Sequence, residues 1–324
     1  MSQPANTFDS YAAATSNKED VQDRIYMVTP ESTPVLSAGR RFTASQRIHE
    51  WVRDSLATPN ASNAVIEGAD RTGTAIVAPQ RVSNTTQLMD KVAIISSAQE
   101  ATKSFGRSSD MKFQVGKMMK ELKRDVEARL VSNLPAVIGS GVLARQTAGM
   151  GCMIFTTALH GAGGSTPTHN SGTPTVAPTP GTARAFAEPL LRTALQSIYT
   201  QSGEMPTFLS MSPSHKALFS GFPGIAVNRF NIKGKEQATV IGGADIYVGD
   251  FGSLTIIPNY VQATSAPNDV FILHPDAYGV AYLQGYNSVA LAKGGHNDRE
   301  LVCVEAACVV TAERAVGKIA ALTA

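Results

Sequence analysis

The side chains able to act as nucleophile, proton carrier or metal ligand include six histidines, His49, His160, His169, His215, His274 and His296, and three cysteines, Cys152, Cys303 and Cys308. No two histidines stand at i,i+4 or in an HxH pair, the spacings that bring two imidazoles to one metal. They read as core or surface histidines, and no metal or other cofactor is expected. Ser214 beside His215, and His274 near Asp276, supply residue types used in nucleophilic catalysis, but adjacency in sequence carries no geometry. Gly161, Gly163 and Gly164 do not form a GxGxxG after a strand, and no GxxxxGK[ST] loop, GxSxG elbow or HExxH pair occurs. No catalytic constellation is legible, so no enzymatic activity is expected. An odd number of cysteines without CxxC points to small core residues in a reducing compartment.

Charge and one tryptophan remain, and a long helix must position one dense run of that charge. Over residues 108–133 the apolar Met111, Val115, Met118, Leu122, Val126 and Leu130 recur at steps of three or four, which places them on one helical face. Ser109 is the expected N-cap, Asp110 an acid in the first turn, and Asn133 before Leu134 and Pro135 the stop. The helix should run about 24 residues, or about 36 Å. Its outer face is expected to carry Lys112, Lys117, Lys120, Glu121, Lys123, Arg124, Asp125, Glu127 and Arg129, with i,i+4 pairs Lys117/Glu121, Lys123/Glu127 and Asp125/Arg129. Such a face fits either solvent or a subunit contact.

At 324 residues, 43% apolar and 17% charged, the chain can bury a sizeable core. A net charge of +2 is too small for a dedicated nucleic-acid-reading surface. No apolar run suits a signal peptide or a membrane span, so a soluble chain is expected.

Residues 1–23 are rich in Ser, Ala, Asn and Thr, and Pro30 and Pro34 break the short apolar cluster that follows, as in an extended arm laid on another surface. From 42 to 56 the apolar Phe42, Ala44, Ile48, Val52 and Leu56 fall on even positions, which reads as one half-buried strand. Residues 58–73 form a turn-rich tip and 75–97 return as a second strand, Pro79 marking an edge or bulge. A 15-residue arm would reach about 50 Å, against a radius of gyration of about 20 Å for the whole chain. The hairpin should therefore protrude, and a two-stranded ribbon is marginal alone, so it should rest on another subunit. Trp51 lies on its odd face with Arg47, His49 and Arg53, as a chance exposed aromatic or an interface anchor. Intersubunit contacts are expected at Trp51, Arg53, Asp54, Arg81, Lys117, Glu121 and Arg124.

Beyond the helix, 160–182 reads as a long mobile Gly, Pro, Ser and Thr loop. A helix is expected over 186–201 with Pro189 in its first turn and Gly203 as its stop. A buried strand at 207–211 and a short helix capped by Ser212 follow. Strands are then expected at 239–248, 253–258, 270–274, 279–283, 288–292, 300–311 and 317–322, giving an α+β body.

The order Thr33-Pro34, EWVRDSL (50–56), RVSNTTQ (81–87), SSAQEA (96–101), Gln114 and ELKRDVE (121–127) is similar to the major capsid proteins of tailed bacteriophages (Caudoviricetes), in particular to a family first described as a domain of unknown function. Leu291 to Gly294, Glu305 and AERAVGKIAAL (312–322) also resemble that family's ending, although the GGHND turn departs from its usual wording. The resemblance implies the Hong Kong 97 fold, with an N-terminal arm (1–40), an E-loop hairpin (41–98), a peripheral domain with the spine helix (99–135 and 270–324) and an axial domain (136–269). It implies hexamers and pentamers closing into an icosahedral head around double-stranded DNA, assembled in the host bacterial cytoplasm. Portal, decoration proteins and a separate scaffolding protein, the 40 leading residues being few for a fused one, are the implied partners, with no membrane. A nanocompartment (encapsulin-like) shell, told apart by its contents, and a tail or baseplate protein, which would form rings or tubes, are the alternatives.

Overall fold

The computed structural model describes residues 25–68, 70, 73, 76–222 and 244–323. The segment 1–23 and the first residues of the strand expected at 239–248 lie outside them. In chain order come α1 (Pro34–Ala38), β1 (Arg40–Thr43), β2 (Ile48–Arg53), β3 (Gln80–Thr85), β4 (Gln87–Ser96), α2 (Ser97–Ala101) and α3 (Asp110–Leu130). Then follow α4 (Met150–Met153), β5 (Ala158–Leu159), β6 (Thr168–Asn170), β7 (Thr173–Val176), β8 (Arg184–Ala185), α5 (Glu188–Ser202), β9 (Phe208–Met211) and α6 (Pro213–Ser220). The remainder is β10 (Ile246–Gly249), β11 (Gly252–Pro258), α7 (Gln262–Ser265), β12 (Val270–Leu273), β13 (Tyr278–Leu291), β14 (Asn297–Val310), β15 (Gly317–Ile319) and β16 (Leu322–Thr323).

The long helix α3 starts where its signals place it. Ser109 Oγ accepts from the Lys112 amide, and the Glu100 carboxylate accepts from the Asp110 and Met111 amides at 3.1 Å each, so the first-turn donors are satisfied. Leu122, Val126 and Leu130 are buried, while Met111, Val115 and Met118 are only half-buried. Glu127 and Arg129 depart from the expected outer face: both are buried. Arg129 donates to the carbonyls of Thr147 and Pro135, and Asp125 pairs with Lys91 instead, so of the expected i,i+4 pairs only Lys117/Glu121 forms, at 3.9 Å. The C-terminal half of α3 is enclosed on two sides, which a single apolar stripe cannot signal.

α3 lies against a four-stranded sheet in the order β1-β13-β14-β4, with β1 parallel to β13 and the other pairs antiparallel. The two strands expected at 279–283 and 288–292 are one ribbon, β13, bent by irregularities between Tyr282 and Asn287. A six-stranded sheet, β10-β11-β9-β12-β15-β5, packs on α5 through Leu191, Leu195, Ile198, Leu209, Ile272 and Ile319. Here β12 and β15 sit in one sheet with β9 and β11. The division at 269/270 expected between axial and peripheral domains therefore cuts through a sheet, because strand pairing joins segments that sequence order separates.

The even-numbered strand of 42–56 is two strands on two sheets. β1 joins β13, the chain turns at 44–47, and β2 pairs with β3. The break shifts the phase, so His49, Trp51 and Arg53 are half-buried while Val52 is 65% exposed, the reverse of the alternation expected there. β4 belongs to the four-stranded sheet, which reduces the hairpin of 41–98 to β2, β3 and the segment between them. The 160–182 loop also differs from expectation: β6 and β7 pair within it, and Gly172 (φ 87°) docks on β3, where a Cβ would lie 2.2 Å from the Arg81 carbonyl oxygen. Only glycine permits that approach. The three cysteines are buried and free.

Candidate assembly surface

The hairpin is fixed at its root and free at its end. Trp51 Nε1 and Arg53 Nη2 both donate to the Val310 carbonyl, at 3.1 and 2.6 Å, and the indole packs on the main core and on the cluster of Ala44, Ala281 and Val309. Burial lowers the Arg53 guanidinium's pKa, with Glu313 opposing it. Neither residue is an exposed anchor in the subunit; both hold the hairpin to the end of β14. Asp54 is exposed and accepts from the Ser55 amide, and Arg81 reaches Glu50 across the β2–β3 pair at 3.5 Å.

Every described residue from 54 to 80 is exposed. Leu56 (99%), Ile66 (82%), Ile76 (95%) and Val77 (84%) among them have no cover from the described residues. A soluble monomer rarely leaves such a group of aliphatic side chains in water.

On α3, Lys91 reaches across from β4 to Glu121 at 3.0 Å and Asp125 at 3.1 Å. Burial pulls the Lys91 ammonium down, but the two carboxylates outweigh it and hold it above the usual lysine range. Arg124 lies over the Tyr260 ring at 5.7 Å, and Lys120 pairs with Glu31 at 2.8 Å. The register places Leu88, Val92, Ile94, Val289 and Leu291 on the sheet face opposite Lys91, all exposed.

The chemistry weighed from sequence does not assemble. Ser212, not Ser214, bonds His215, with Oγ 2.7 Å from Nδ1, and both side chains are enclosed. His274 Nδ1 accepts from the Asp276 amide at 3.2 Å, a local cap. No group of three His, Cys, Asp or Glu able to hold a metal occurs among the described residues.

The carboxylates that organise the fold carry no sequence signal. Glu127 accepts from the Val35 and Leu36 amides and from Asn259 Nδ2, binding the arm to α3. Glu313 accepts from the Phe155 and Thr156 amides and the Thr156 hydroxyl. Glu305 bonds Thr86 and Arg145.

A family model described as SU10 major capsid protein matches residues 4–323. The "Major capsid protein" of Escherichia phage Phieco32 is 32% identical over 108 residues, which are 33% of this chain and 31% of that protein, so the match spans under a third of the relative's length. Among solved structures, a chain of Microbacterium phage Oxtober96 is similar at TM-score 0.65 and 10% identity over 97% of this chain and 99% of its own. The capsid of a native GTA particle follows at 0.64 and 12%, covering 98% and 99%, and the holo-SrpI encapsulin complex of Synechococcus elongatus at 0.57 and 12%, covering 98% and 96%. Identities this low carry the fold alone, and that fold is the α+β Hong Kong 97-like capsid architecture. With the match running over almost the whole sequence, the chain belongs to the SU10 major capsid protein family.

Proposed function

We propose that this chain is the major capsid protein of a tailed bacteriophage, whose copies form hexamers and pentamers that close into an icosahedral head around double-stranded DNA. The family match carries the reading, and the uncovered aliphatic side chains of residues 54–79 support it. In this reading the hairpin end lies on a neighbouring copy, with Asp54 and Arg81 meeting partner charges near its base. Lys117, Glu121 and Arg124 face a second contact, and Trp51 and Arg53 act by aiming the hairpin. Contact with packaged DNA is non-specific, consistent with a net charge of +2. In this reading a portal and a separate scaffold are the partners of assembly, which takes place in the host bacterial cytoplasm, and the chain itself turns over no substrate. No described helix is long and apolar enough to cross a membrane.

Particles isolated from producing cells should be closed, dominated by this polypeptide, and hold double-stranded DNA that nuclease reaches only after the shell is opened. The structural likeness to an encapsulin makes a protein-filled compartment the second reading. Closed particles with protein cargo and no DNA would establish that reading instead, and rings or tubes would refute both.

A further inference from the structure

Where the end of α3 meets the six-stranded sheet, a lysine, an asparagine and an aspartate converge in the interior. Lys318 on β15 is 1% exposed. Its Nζ lies 2.5 Å from Asn133 Oδ1 and 3.2 Å from Asp269 Oδ2, and Asn133 Nδ2 donates to that same Oδ2 at 2.5 Å. The amine, the carboxamide and one carboxylate oxygen thus form a closed triangle.

The surroundings fix it. Asn133 is held through its backbone carbonyl by the Cys152 thiol at 2.9 Å, and Asp269 through its carbonyl by Gln262 Nε2 at 2.7 Å. Gly151 makes the room: a Cβ there would lie 1.8 Å from Asn133 Oδ1. The other titratable groups in electrostatic reach are His160, Cys152 and, on the Asp269 side, His215, all enclosed; burial disfavours the charged form of each, taking the His160 imidazole down to about 4, the Cys152 thiol up to about 12 and the His215 imidazole down as well.

We infer that this triangle is a self-crosslinking site, in which Lys318 Nζ and Asn133 Cγ join as an intrachain amide with Asp269 as proton shuttle. Asp269 takes a proton from the ammonium, leaving a neutral amine whose lone pair attacks Asn133 Cγ. The Nζ–Cγ bond forms, Asp269 returns the proton to Nδ2, the Cγ–Nδ2 bond breaks, and ammonia leaves with the proton released by Nζ. One amine and one carboxamide become one secondary amide and one ammonium; nothing is oxidised and no co-reactant is needed. A carboxamide is a poor electrophile in water, but reactants held in contact gain effective molarities of about 10⁵ to 10⁸ M. Burial lowers the lysine's pKa, against the opposing charge of Asp269, which favours the neutral amine that must attack. The bond would span 185 residues of sequence and tie the end of α3 to β15. It is an inference from side-chain geometry and stands whether or not the shell holds DNA.

Intact mass spectrometry and tryptic mapping of the purified full chain test it. We expect the chain to be lighter than its sequence by one ammonia, with no cleavage after Lys318 and a branched peptide joining the segments that contain Asn133 and Lys318. Asn133→Ala and Asp269→Asn should each restore the sequence mass for that site and the cleavage. A wild-type chain at its full sequence mass, or an ammonia loss that maps to a succinimide elsewhere, overturns the proposal, and neither result depends on a variant folding.

Discussion

Glu127 is a buried carboxylate with three donors directed at it, and its ionisation is opposed by its own burial, which raises its pKa, while the bonds from Leu36, Val35 and Asn259 lower it. Glu127→Ala removes the acceptor and strands those donors, each at about 1–3 kcal/mol. The unassembled subunit should lose a few kcal/mol of that order in denaturant titration. His160 gives a pH-dependent counterpart. Burial depresses its pKa from 6.5 to about 4, with Lys318 adding to the effect, and neither ring nitrogen has a hydrogen-bond partner among the described residues. Between those values the unfolded chain binds a proton that the folded chain refuses, so stability should fall as pH drops from about 6.5 towards 4. His169 and His215 are depressed in the same direction. His160→Leu should therefore flatten part of the acid slope in thermal unfolding and leave neutral-pH stability close to the parent; an unchanged slope would refute the assignment.

Among the elements, the hairpin divides into a root that belongs to the subunit and an end that does not. Replacing residues 58–74 by Asn-Gly deletes a stretch whose described residues are all exposed, so the variant should fold with a circular dichroism spectrum like the parent and yet fail to close regular shells. Normal particles from that variant in negative-stain microscopy would remove the hairpin from the assembly contacts. Trp51→Ala should behave differently. Its indole packs on two clusters and donates to Val310, so truncation should cost the monomer itself about 2 kcal/mol or more, visible in urea unfolding before any assembly.

For the whole molecule, shell formation is a matter of area. Obligate interfaces bury about 2,000–5,000 Å², and residues 1–23, poor in large apolar side chains, are expected from the sequence to contribute to that area on neighbouring copies. Deleting residues 1–23 should leave a folded subunit or capsomer and weaken or abolish shells. Sedimentation gives the answer, with full shell yield from the truncated chain counting against the arm. The charged pairs on α3 are expected to matter less: Lys117/Glu121 is partly exposed at 3.9 Å, and such pairs contribute about 0–1 kcal/mol.

The sequence by itself determined what local chemistry decides. Ser109 and the three-four spacing set α3, Pro189 and Gly203 bound α5, and the turn-rich composition of 58–73 marked a segment with no place in the core. The order of motifs also pointed to the capsid fold. Only the tertiary structure decided the phase of β2, the enclosure of Glu127 and the sheet that takes β12 and β15. Each depends on contacts across long sequence separations, as in the 259 residues between Trp51 and Val310. Periodicity records how polar and apolar residues alternate along a few turns or strands; it is blind to a second surface closing over the polar side. A buried charge such as Glu127 or Lys318 looks in sequence like any solvated one, because its partners arrive from elsewhere in the chain.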